Sequence, residues 1–84
     1  MTSDAVPADM DRFMRWESSS RYYLMRIQLN LFGELELHRV WGGLGSRHGG
    51  GLTEPLPDLD TGSRRLHQEE VRRLRHGYIR TDLH

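Results

Sequence analysis

Between residues 21 and 41 the chain alternates apolar and polar side chains with a period of two, in two successive runs. In 21–29, Tyr23, Met25, Ile27 and Leu29 share one face, while Tyr22, Leu24, Arg26 and Gln28 share the other. That is the pattern of a half-buried strand. In 34–41, Leu35 and Leu37 share a face with Arg39 and Trp41, and Glu34, Glu36, His38 and Val40 take the opposite one. Asn30-Leu31-Phe32-Gly33 separates the runs, so the pair is predicted to be an antiparallel hairpin. The second run changes from Leu-Leu to Arg-Trp along one face. Either the strand leaves the core edge there, or a bulge near His38 exchanges its faces.

The flanking segments are less regular. Residues 1–10 are polar, contain Pro7 and offer nothing to bury, which predicts a disordered leader before a single domain over 11–84. Residues 11–16 alternate loosely and are predicted to form a first short strand, ended by Ser18-Ser19-Ser20. Six glycines fall in 42–51, which is predicted to be a flexible loop. Residues 52–56 form a last strand in this scheme, with Pro55 suited to a sheet edge. A helix is predicted over 63–76, with Asp58, Asp60, Thr61 and Ser63 all capable N-caps and Gly77 as the residue that ends it. Its apolar stripe would be Leu66, His67, Val71, Leu74 and Tyr78. Glu69 and Arg73 would then form an i,i+4 pair on the polar side. About four strands followed by one helix define an α+β domain with a mainly antiparallel sheet.

Composition narrows the function more than the fold. At 84 residues the core is thin, and a homodimer that hides more apolar surface is an alternative to a monomer. No cysteine is present, which removes disulfides, thiol nucleophiles and thiolate-bound zinc. The N-terminal residues lack a secretory pattern and no apolar run is long enough to span a bilayer, so a soluble, cytoplasmic protein without a membrane partner is expected.

Acids and bases balance at twelve each, and every base is Arg. The balance shifts along the chain: residues 61–84 hold six Arg and three acids, against six and nine before them. Arg makes planar, bidentate contacts with phosphate and stacks on rings, although genomic base composition gives the same bias. The glycine segment has no phosphate-loop spacing, the five histidines show no ligand spacing, and Ser46 sits in no nucleophile frame. No metal, no cofactor and no enzymatic activity are expected. Trp41, beside glycines at a strand end with Arg39 and Arg47 near it in sequence, has two readings. It either caps the core against the helix or stacks on a sugar or base at a nucleic-acid end.

The ordered landmarks also carry a resemblance. Tyr22-Tyr23, Phe32-Gly33, Arg39, Trp41-Gly42-x-Leu44-Gly45 and Arg75-His76-Gly77-Tyr78 resemble the WGR domain family over roughly residues 20–80, most of all its short stand-alone bacterial members. The resemblance implies a mainly antiparallel sheet with one C-terminal helix packed across it. It also implies a module that binds DNA near strand ends or breaks and contacts neighbouring protein domains. On this reading Trp41 stacks, Arg39, Arg47, Arg75 and Arg80 hold backbone phosphates, and Tyr78 lines the site. The third motif position departs from the pattern: Gly43 stands where the family has Arg. The alternative is therefore a protein-interaction or structural module that kept the fold and lost DNA binding with that side chain.

Overall fold

A computed structural model describes residues 12–82. The predicted leader, and Asp11 of the predicted first strand, lie outside the described residues. Five strands and one helix follow in the order β1 (Phe13–Glu17), β2 (Arg21–Leu29), β3 (Leu35–Gly43), β4 (Gly49–Pro55), α1 (Leu59–Arg75) and β5 (Ile79–Arg80). They form one sheet in the order β4-β3-β2-β1-β5, every pairing antiparallel, with the helix across one face. The architecture is α+β, as the hydrophobic pattern indicated. The strand beyond the expected four is β5, two residues long. It is fastened to β1 by the Thr81 amide donating to the Arg15 carbonyl and the Arg15 amide donating to Asp82. None of the described helices is long and apolar enough to cross a membrane.

The β2–β3 register is continuous from Leu29↔Leu35 to Arg21↔Gly43, so no bulge intervenes at His38. Tyr23, Met25, Ile27 and Leu37 are buried beneath the helix with Met14, Trp16, Leu56, Leu66 and Tyr78. Leu29, at the strand end, is not.

Two expectations are corrected. Five of the segment's six glycines lie in strands: β3 runs to Gly43 and β4 begins at Gly49, leaving a turn of 44–48. Glycine is required there by close approach. A Cβ on Gly50 would stand 3.0 Å from the Trp41 indole, and one on Gly49 would collide with the Trp41 carbonyl oxygen.

The helix begins four residues earlier than predicted, at Leu59, because Asp58 is the N-cap and accepts from the Thr61 amide at 2.7 Å. It is also rotated from the predicted stripe. The buried positions are Gly62, Leu66, Glu69 and Arg73, while His67 is exposed and Leu74 is 58% exposed. Glu69 and Arg73 face the sheet and form no pair with each other. The end of the helix is as expected. Gly77 has φ 82°, its amide donates to the Leu74 carbonyl, and the Tyr78 amide donates to the Arg73 carbonyl. This two-bond closure is a Schellman motif. It folds Tyr78 back beneath the helix.

Candidate functional site

The layer between helix and sheet changes character along its length. At one end Gly62 lets the helix approach until an added Cβ would be 2.9 Å from Ile27, and Leu66 is buried beside it. Toward the helix C-terminus the same face carries Glu69 and Arg73, and the sheet beneath changes in step from Leu37 to Arg39 and Trp41.

Glu69 is only 2% exposed. One carboxylate oxygen lies 3.4 Å from Arg39 Nη1 and 3.4 Å from Arg65 Nη2, and the other accepts from the Tyr23 hydroxyl at 3.4 Å. Arg65 in turn grips Glu54 with two hydrogen bonds of 2.8 and 3.0 Å. That fork holds the Glu54 carboxyl below its usual range and raises Arg65 further above its own. Two carboxylates thus face three guanidinium groups, the third being Arg72 at 3.9 Å from Glu69, and a buried charge is tolerated because it is paired and hydrogen-bonded.

Arg73 has no such balance. It is 9% exposed and lies over the Tyr23 ring at 4.2 Å and the Tyr78 ring at 5.1 Å. Among the described residues it makes no ion pair, and its Nε, like the Nε of Arg39, is buried without an acceptor. Cation–π contact with two rings offsets part of the cost of burying the charge. The Arg73 side chain also lines a cleft.

That cleft has a volume of about 420 Å³ and is lined by Arg21, Tyr23, Arg39, Trp41, Arg73, His76 and Tyr78. Among the described residues, no carboxylate is in its lining. Trp41 is partly buried. Its ring is stacked on Tyr23 with centroids 5.9 Å apart and planes 15° apart, and its edge lies flat on Gly50. Tyr23 meets Tyr78 edge to face at 6.5 Å. The arrangement is therefore an aromatic wall with three guanidinium groups and an imidazole around it.

Of the residues predicted for a site, Arg39, Trp41 and Tyr78 converge on this cleft. Arg47 is exposed in the 44–48 turn. Arg75 is exposed at the helix end and lines a neighbouring depression with Arg72 and His76, so it extends the cationic surface from outside the cleft. Arg80 stands apart. Its guanidinium forks onto Asp82 with bonds of 2.9 and 3.1 Å, which raises its pKa. Burial opposes ionisation of Asp82, but the bonds from Arg80 and the Arg15 amide outweigh it and hold that carboxyl below its ordinary value.

Four cleft residues carried no prediction as site residues: Arg21, Tyr23, Arg73 and His76. The signal for Arg21 was available in the hairpin register, which sets it directly opposite Gly43. Position 43 lacks a side chain, and from the adjacent strand Arg21 lines the cleft. Arg73 gave no comparable signal, since a cation on a helix normally marks the solvated side. No family model, curated protein or solved structure matches the chain.

Proposed function

We propose that this chain is a non-catalytic, cytoplasmic module of WGR type that binds DNA through its backbone phosphates and through stacking on Trp41, without reading sequence. The supporting observation is Arg73: a nine-tenths-buried guanidinium, laid on two tyrosine rings and lining, beside an indole, a cleft with no carboxylate among its described residues. Such a group is preorganised for an anion, and a neighbouring ring completes a site for a phosphate attached to a sugar and base. Arg21 takes the part of the guanidinium missing at position 43, Arg39 and His76 flank it, and Arg72 and Arg75 continue the cationic track over the helix end. Phosphate contacts of this kind position a protein on a duplex without specifying its sequence.

A salt titration of binding to nicked, blunt and single-stranded oligonucleotides tests this reading. Affinity should fall steeply as salt rises. Arg21→Ala should reduce the slope of log affinity against log salt by about one. Trp41→Ala, in a variant verified to be folded, should cost about 1–3 kcal/mol of binding. Absence of binding to all three oligonucleotides at low salt defeats the proposal.

A further inference from the structure

We propose that the β2–β3 hairpin tip of one copy of this chain docks in the arginine–aromatic cleft of a second copy, head to tail. The inference rests on the same reading of the cleft as an open cationic site with aromatic walls, and adds an occupant that competes with DNA for it.

The tip carries the two most exposed large apolar side chains among the described residues, Leu31 at 101% and Phe32 at 86%. Solvent exposure on this scale at adjacent positions is characteristic of a contact surface. It is also held in one shape. Asn30 Oδ1 accepts from the Phe32 amide at 2.8 Å and the Glu34 amide at 2.9 Å. The Gly33 amide returns to the Asn30 carbonyl at 3.0 Å, with Gly33 at φ 77°. A tip already ordered loses little conformational freedom on docking.

Charge is complementary between the two ends. Residues 27–38 and 48–63 meet at the tip end, where Glu36 pairs in register with Pro55 and the Leu56 amide donates to the Leu35 carbonyl. Together these segments hold five acids, Glu34, Glu36, Glu54, Asp58 and Asp60; arginines adjoin them at 26, 39, 47 and 64, and Arg65 takes up the charge of Glu54. Only Glu54 among them is ion-paired to arginine within the described residues. The cleft end presents Arg21, Arg39, Arg73 and His76 with no acid among the described lining residues. An aromatic ring followed two residues later by a carboxylate, Phe32 then Glu34, suits a cleft lined by tyrosine, tryptophan and the arginines Arg21, Arg39 and Arg73. Aromatic side chains seated in cationic, ring-lined sites are typical interface anchors.

The contact has to be between copies. Tyr23↔Trp41 and Leu29↔Leu35 are six residues apart along the paired strands, about 20 Å, so a tip cannot reach its own cleft. A head-to-tail contact leaves one free tip and one free cleft, and continues as a chain or closes as a ring.

Sedimentation equilibrium of the full chain at low salt should give a mass rising with concentration above the 9.9 kDa of one copy, and falling back as salt is added. Phe32→Ala, at an exposed position, and Arg21→Glu, at the exposed start of β2, should each sediment as a monomer. Mixed, they should form a 1:1 dimer, because one supplies an intact cleft and the other an intact tip. A wild-type chain that stays monomeric at millimolar concentration overturns the inference, as does a mixture that stays monomeric. Nicked-duplex binding by Phe32→Ala separates this from the DNA reading. Retained binding with unchanged self-association removes only the tip contact. Lost self-association without binding to any oligonucleotide removes only the DNA proposal.

Discussion

The two halves of the helix–sheet layer are built from one continuous register and one continuous helix, yet they are held by opposite means. Over Ile27 and Leu56 the helix comes close because Gly62 has no side chain, and Leu66 fills the space; this half is dry and neutral. Over Tyr23 and Arg39 the helix inserts Glu69 and Arg73, and the layer is made of ion pairs, a tyrosine hydroxyl and stacked rings. Apolar packing stabilises by removing area from water, whereas a buried ion pair barely offsets its own desolvation. The second half is thus a poor way to gain stability and a good way to hold guanidinium groups rigidly beside an open cleft.

Glu69→Ala is expected to produce the largest effect. It leaves Arg39 without its shortest ion pair and Arg65 with Glu54 alone, and should cost about 3–5 kcal/mol in chemical denaturation. Added salt should recover part of that loss, because anions can screen the freed cations. Leu66→Ala is its counterpart in the dry half, costing about 2–5 kcal/mol with little dependence on salt. Equal salt dependence in the two variants would show that the halves do not differ in kind.

Gly50→Ala comes next in size. Its Cβ would sit 3.0 Å from three atoms of the Trp41 ring, so the indole has to give by a few tenths of an ångström against its stacking on Tyr23. A cost of about 1–3 kcal/mol is expected, with a change in near-ultraviolet circular dichroism from the displaced ring.

The sequence disclosed the dry half more readily than the ionic one. Period-two alternation placed Tyr23, Met25, Ile27 and Leu37 correctly, since burial there follows apolarity. It failed on the helix because the search was for an apolar stripe, and the helix buries Glu69 and Arg73 in preference to Leu74. That choice depends on Arg39 and Tyr23, partners distant in sequence that only the folded sheet brings together, and on Tyr78, which the Gly77 turn returns beneath the helix. The glycine segment misled for a related reason. Its lack of side chains signals flexibility locally, whereas here it makes room for Trp41 and Tyr22, whose ring would be 2.9 Å from a Cβ on Gly42. Gly77 was legible because a helix end is a local structure, closed by bonds within a few residues.

The smallest effect concerns acid. Glu54, Glu36, Asp58 and Asp82 all ionise more easily in the folded chain: Glu54 through Arg65, Glu36 through His38 and Asn30, and Asp58 through the Thr61 amide, while Asp82 does so despite its burial. A carboxyl whose folded pKa is depressed contributes stability that is present above its unfolded pKa and is lost as pH falls through the folded value. The wild-type melting temperature should accordingly stay level near neutrality and decline from about pH 4 downward. Asp58→Asn keeps an N-cap acceptor but does not titrate, so it should leave the neutral value nearly unchanged and make the acid decline shallower. Glu54→Gln should lower the neutral value, flatten the decline and meet the wild-type curve at low pH, because protonation removes the same charge. Leu66→Ala should instead shift the whole curve down in parallel. If Glu54→Gln also shifts it in parallel, the fork to Arg65 is not what stabilises the ionic half.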